Sequence, residues 1–211
     1  MKNLFATTAV LSAMSAGSVA YAQGAGDFYA SVFGGFSAGE YTLDDDYFGV
    51  ETTYSGPGYV LGATVGRTIA PNVRAEVELS YAAYEFDEVE YDGYGSYDIS
   101  GYDVTMGATY LMGNVWYDLS SIGTGATQPY VGGGLGVAFV DFTFFGTDLD
   151  TTTALAVQLG AGVKVPLGAG ALDIGYRFKT APDFTAEFED SEVWDASTLS
   201  HDLQAAYVFN F

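Results

Sequence analysis

The stretch Leu199-Ser200-His201-Asp202-Leu203-Gln204-Ala205-Ala206-Tyr207-Val208-Phe209-Asn210-Phe211 decides the fold. Leu203, Ala205, Tyr207, Phe209 and Phe211 are apolar at every second position, and Asp202, Gln204 and Asn210 fall between them. A side-chain period of two belongs to a strand with one apolar face and one wetter face. A barrel in a membrane uses such a strand as its last one: it pairs with the first, removes the open edge and turns its apolar face to lipid. A soluble barrel places its apolar face inside and has no use for a terminal phenylalanine on the other face.

The opposite end of the chain predicts export. Lys2 precedes an apolar run from Leu4 to Met14, and small residues lead to Ala20-Tyr21-Ala22 before Gln23. A positive start, a short apolar segment and an A-x-A site make residues 1–22 a secretory signal peptide and leave 23–211 as one barrel domain. No later segment offers about twenty consecutive apolar residues for a helical span. There is no cysteine, so disulfides and thiolate metal sites are excluded.

Working inward from the last strand, eight alternating segments are long enough to cross a bilayer when tilted. They run over about 27–43, 58–69, 73–85, 99–119, 130–144, 153–165, 171–180 and 199–211. In the third, Val73, Ala75, Val77, Leu79 and Tyr81 share one face, opposite Arg74, Glu76, Glu78 and Ser80. The apolar parity of the fourth changes near Leu111, which predicts a bulge or bend there. The connections Ala70-Pro71-Asn72, Ser120 to Gln128 and Pro166 to Gly170 are short or uncharged. Those at Asp44 to Glu51, Glu85 to Asp98, Asp148 to Asp150 and Asp183 to Asp195 are acidic. Short turns at one end and longer loops at the other predict an all-β, eight-stranded antiparallel transmembrane barrel with both mature termini in the periplasm. Aromatic residues near strand ends (Phe28, Tyr59, Tyr81, Tyr84, Tyr102, Trp116, Tyr117, Tyr130, Tyr176, Phe209 and Phe211) predict two interfacial girdles.

Several motifs in this order resemble the small OmpA-like or opacity-type outer-membrane β-barrel family, often labelled porin-family proteins. They are Val73-Arg74-Ala75-Glu76-Val77-Glu78-Leu79-Ser80-Tyr81, Leu111-Met112-Gly113-Asn114-Val115-Trp116-Tyr117-Asp118, Gln128-Pro129-Tyr130-Val131-Gly132-Gly133-Gly134-Leu135-Gly136, Leu172-Asp173-Ile174-Gly175-Tyr176-Arg177-Phe178 and the terminal strand. The resemblance implies location in the outer membrane of a Gram-negative bacterium and no enzymatic activity in most members. It also implies insertion by the barrel-assembly machinery, which would read the terminal strand through Tyr207, Phe209 and Phe211. No cofactor and no ligand follow from it.

Charge narrows the partners. After loss of Lys2, five basic residues face 27 acidic ones, formally −22. That balance argues against nucleic acid, whose phosphates need clustered Lys and Arg. Outer-membrane lipid and lipopolysaccharide are the expected partners of a monomeric barrel. Asp44-Asp45-Asp46 and Asp148/Asp150 offer hard oxygen ligands for divalent cations at the loops.

Strand parity points Arg74, Lys164, Arg177 and Lys179 inward together with Glu76, Glu78, Asp103, Asp173 and Asp202. Eight strands enclose a space that side chains can fill, so paired charges predict a polar plug. The functional expectation is a structural and surface-interaction barrel. The alternative is a small cation-favouring pore with acidic loops at its mouth. A lipid-A-modifying enzyme is a further alternative, resting on His201, the sole histidine. However, Ser200, His201 and Asp202 alternate between faces and cannot meet by adjacency. Arg67 has outward parity, where it can snorkel toward headgroups. Gly132, Gly133, Gly134 and Gly136 lack the strand–turn–helix context and lysine of a phosphate loop, and read as small residues on a crowded inward face or at tight curvature of the strand.

Overall fold

A computed structural model describes residues 28–45, 50–119, 127–144, 146–148, 151–187 and 193–211. The signal peptide expected over 1–22 lies outside the described residues. The chain forms β1 (Phe28–Asp45), β2 (Val50–Ala70), β3 (Val73–Glu85), β4 (Glu88–Tyr91), β5 (Gly95–Asp98) and β6 (Val104–Asp118). It continues as β7 (Gln128–Phe144), β8 (Thr147–Asp148), β9 (Thr152–Leu167), β10 (Gly170–Glu187) and β11 (Val193–Asn210). Eight long strands, β1, β2, β3, β6, β7, β9, β10 and β11, pair antiparallel in that order. β1 bonds both β2 and β11, which closes the ring. No helix occurs among the described residues.

The register fixes the size of the barrel. Partners followed once around run from Tyr29 through Gly66, Glu76, Asn114, Gly134, Gln158, Lys179 and Ser200, and return to β1 at Gly39, ten residues along. With ~3.3 Å per residue and ~4.8 Å between strands, eight strands and this stagger give a tilt of about 40° and a backbone radius of about 8 Å. That radius leaves an interior only as wide as the side chains that enter it.

Both ends of the described chain meet at one end of the barrel, where the Phe211 amide donates to the Phe28 carbonyl at 3.1 Å. The tight turns lie here too, through Asn72 (φ 63°) and Gly168 (φ 65°). Asn tolerates the left-handed region that this turn requires, and Gly enters it freely. At the opposite, long-loop end, β4 and β5 form a hairpin that pairs with the upper part of β2.

The faces are arranged inside-out relative to a soluble protein. Outward Leu61, Val65, Val77, Leu111, Val115, Leu135, Leu155, Leu159 and Leu203 are exposed, and their strand neighbours are largely buried. This exposed apolar band ends toward the long-loop end at outward Glu40, Glu85, Asp141 and Asp195. On β1, Phe28 to Ala38 covers about 25 Å along the axis at this tilt, the height of a barrel's lipid-facing band.

The structure corrects four expectations. β2 begins at Val50 rather than Gly58, and β10 and β11 extend to Glu187 and from Val193. Beyond the apolar band the outward face no longer needs apolar residues, so stretches such as Glu51-Thr52-Thr53-Tyr54 lose the alternation that marks a strand. The segment 99–103 is loop, and part of the expected loop 85–98 is the β4–β5 hairpin. β6 carries no bulge at Leu111, and its register with β3 and β7 is unbroken. The parity change has another cause: the interior itself becomes apolar, with Val104, Met106 and Ala108 facing in opposite outward Thr105, Gly107 and Thr109. Tyr84, Trp116 and Tyr130 belong to no girdle, because they are buried in the barrel, and Tyr102 lies in a loop.

A crowded inward face explains Gly132, Gly134 and Gly136 of β7, whereas Gly133 is a correction: it points outward, paired with the outward residues Leu159 and Val115. A Cβ on Gly132 would lie 2.6 Å from Trp116 Cε3 and 2.2 Å from the Val115 carbonyl oxygen, whereas one on outward Gly113 would meet nothing closer than 3.8 Å. Gly132→Val is therefore expected to destabilise the barrel by about 1–3 kcal/mol through overpacking. Gly113→Ala should leave stability nearly unchanged, both read as the temperature at which the folded, fast-migrating gel band is lost in detergent.

Candidate functional site

The interior is built in three tiers. Nearest the short-turn end is a charged and aromatic tier. Arg74 Nε donates to both Asp118 carboxylate oxygens at 3.0 and 3.1 Å, and its Nη1 donates to the Tyr29 hydroxyl at 3.1 Å. Tyr29 donates in turn to Glu76 at 2.9 Å, which also accepts from Trp116 Nε1 at 2.6 Å. Lys164 Nζ lies 3.8 Å from Asp118. Arg177 donates to Tyr130 at 2.9 Å, and Tyr130 donates to Asp173 at 2.6 Å. The Arg177 guanidinium also lies over the Trp116 ring, 4.3 Å from its centroid, an electrostatic contact that strengthens where water is excluded.

The middle tier is built around Lys179, which pairs with Glu78 and Asp202. Lys179 Nζ donates to Glu78 Oε1 at 2.8 Å, with side chains only 1% and 2% exposed. β3 and β10 are third and seventh around a ring of eight, so this contact spans the lumen diameter. Glu78 also accepts from Ser80, Asn114 and Gln158 at 2.8, 3.1 and 3.2 Å. Asp202 Oδ2 stands 3.7 Å from Lys179 Nζ, and its Oδ1 accepts from Ser37 at 2.5 Å. Between these tiers is a cavity of about 20 Å³, room for about one water molecule. Arg74, Arg177 and Gln204 border it, and each keeps a buried polar atom without a protein partner, as a lodged water would require.

The third tier, toward the long-loop end, is apolar. Tyr41 stacks on Phe142 with centroids 4.4 Å apart, and Tyr54, Tyr84, Phe86 and Phe184 join the same aromatic group. Val60, Val104, Ala108 and Ala138 are fully buried in the same apolar cluster.

Of the inward residues expected from parity, Arg74, Glu78, Arg177 and Lys179 are buried, and Glu76, Lys164 and Asp173 are partly so. Asp103 is a correction. It is exposed in the loop before β6 and has the outward parity of Thr105 and Gly107, because the apolar residues Val104, Met106 and Ala108 face the lumen there instead of lipid. Tyr29, Asn114, Trp116, Asp118, Tyr130 and Gln158 complete the network and escaped the sequence reading. Asn114, Trp116 and Asp118 share the parity of Met112 on β6 and could have been found by extending it.

The remaining candidates lie outside the lumen. Phe209 and Phe211 are exposed on the outer face, and Tyr207 donates to the Leu167 carbonyl at 3.2 Å. His201 points outward with its Nδ1 2.5 Å from the Tyr176 hydroxyl, while Ser200 and Asp202 are buried inside, so the three never converge. Arg67 is outward, its guanidinium 4.9 Å from the centroid of Phe28. Asp46 and Asp150, on which the divalent-cation expectation partly rests, lie outside the described residues. All Lys and Arg of residues 23–211 except Arg67 thus sit inside the barrel.

Comparisons agree with this architecture. The crystal structure of Neisserial surface protein A matches with a TM-score of 0.53 at 19% identity, over 90% of this chain and 100% of that one. Outer membrane protein OprG from Pseudomonas aeruginosa matches with a TM-score of 0.51 at 15% identity, over 89% and 98%. Both are likenesses of fold. No curated protein matches. The model of the outer membrane protein beta-barrel domain matches residues 6–211, nearly the whole chain, and the protein therefore belongs to that Gram-negative outer-membrane family.

Proposed function

We propose that the protein is a non-enzymatic structural and surface-interaction barrel whose lumen is closed by its own side chains. The observation that carries this reading is the Glu78–Lys179 bridge across the full diameter, roofed by the apolar tier. An ion crossing the lumen would have to displace a buried, hydrogen-bonded pair and then shed its hydration among Val60, Val104 and Ala138, each step costing several kcal/mol. Reconstituted in planar bilayers, the protein is expected to show no steady unitary conductance. Stable cation-selective steps would replace this reading with that of a pore.

In this reading the short-turn end lies in the periplasm and the acidic long-loop end faces the exterior, with lipid and lipopolysaccharide against the outer wall. The natural chain has no cysteine, so single cysteines report the orientation cleanly. Ser96→Cys in β5 should react with a membrane-impermeant maleimide on intact cells, and Ala169→Cys in the β9–β10 turn only after the outer membrane is opened. The reverse pattern would invert the topology.

The closing strand is also proposed to be the segment that the barrel-assembly machinery engages, through the outward rings of Tyr207, Phe209 and Phe211. Phe209→Ser together with Phe211→Ser should lower the amount of folded, heat-modifiable barrel in the outer membrane several-fold. Refolding of the purified double variant in detergent should stay close to that of the natural chain. Equal losses in both assays would mean that the rings serve stability alone.

A further inference from the structure

The hydrogen-bonded path around the barrel does not end within it. Past β2 it continues to β4 and stops at β5. Among the described residues β5 pairs with β4 alone, and Gly95, Ser96, Tyr97 and Asp98 are all exposed. One side of this strand thus presents main-chain donors and acceptors to solvent. Natural edges are commonly blunted by shortness, charge, proline or a bulge; β5 is short, but it has no lysine or proline, and its one charge, Asp98, does not repel a basic strand.

The edge is held ready. Val89 of β4 and Phe86 before it are buried under the barrel mouth, with Phe86 in the aromatic group there. The Asp87 amide donates to Ser55 at 3.1 Å, the Asp92 amide to Glu51 at 3.0 Å and the Ile99 amide to Asp87 at 2.9 Å. A strand added to β5 would meet a formed template, which removes much of the ordering cost of binding.

The surroundings specify the chemistry of that strand. Glu88, Glu90, Asp92 and Asp98 lie in the hairpin and Glu85 and Asp87 just before it, and no Lys or Arg occurs between Arg74 and Lys164. The Ser100 hydroxyl and amide, both donating to Asp98 Oδ1, hold its carboxyl below the usual carboxylate range. Tyr94, Tyr97 and Tyr102 are well exposed, and their ring faces attract cations.

We propose that β5 is a docking edge for an extended lysine- or arginine-rich polypeptide segment, which adds as a further strand with its cations among the carboxylates and tyrosines of the hairpin. The main chain supplies the pairing and the side chains select a basic partner. This deepens the surface-interaction reading and rests on it.

The test uses the whole barrel in detergent micelles and a fluorescent peptide alternating lysine and valine, followed by anisotropy. The peptide is expected to bind, at least tenfold more weakly when lysine is replaced by glutamate. Full N-methylation of its backbone, which keeps the charge but removes the hydrogen-bond donors, should also weaken binding at least tenfold. The exposed triple change Asp87→Asn, Glu90→Gln and Asp98→Asn should reduce affinity for the unmodified peptide several-fold and leave the heat-modifiable band in place. Equal binding of the methylated peptide, or no binding of the unmodified one, overturns the docking edge. Neither result touches the closed-barrel reading, which stands or falls on conductance.

Discussion

The contact between Glu78 and Lys179 organises the lumen because the barrel is too narrow for either group to exist there alone. Eight strands staggered by ten residues fix the backbone radius at about 8 Å, so every inward side chain meets others across the axis. An isolated carboxylate or ammonium in that space would face a desolvation penalty of several kcal/mol. Opposed across the diameter at 2.8 Å, the two offset each other, and Ser80, Asn114 and Gln158 satisfy the remaining lone pairs. The tier below repeats this with Arg74, Asp118 and Lys164, and with Arg177, Tyr130 and Asp173.

The same constraint distributes charge over the whole molecule. Four of the five basic residues beyond position 22 are committed to the interior, and the fifth, Arg67, lies outward near the short-turn end. The acidic residues of the long-loop end are left without internal counter-ions. An acidic long-loop end and a paired interior are two consequences of one allocation. The apolar tier extends the argument, since no cation remains there to pair a buried carboxylate, and Tyr41, Phe142 and their neighbours fill the mouth instead.

Much of this was legible in the sequence where two faces differ in polarity. The terminal alternation from Leu203 to Phe211 and the third segment from Val73 to Tyr81 fall on strands at the expected places, and Arg74, Glu78, Arg177 and Lys179 are inside as their parity requires. Legibility failed where the two faces became alike. The apolar interior of β6 imitated a bulge, and Trp116 and Tyr130 imitated lipid-facing girdle residues because a ring suits either side of the wall. Beyond the bilayer, β2 and the β4–β5 hairpin lost the alternation altogether. Asp103 was misplaced for the same reason: with Val104, Met106 and Ala108 turned to the lumen, polarity no longer tells the inward face from the outward one.

If charge pairing across the diameter holds the lumen shut, Glu78 and Lys179 must be energetically coupled, and a double-mutant cycle measures that coupling. Glu78→Gln, Lys179→Met and the combined variant would be unfolded in urea from the same detergent. Each single change is expected to be strongly destabilising and the double change to cost far less than their sum, with a coupling of about 2–3 kcal/mol. Additive losses, with no coupling beyond a few tenths of a kcal/mol, would contradict that pairing.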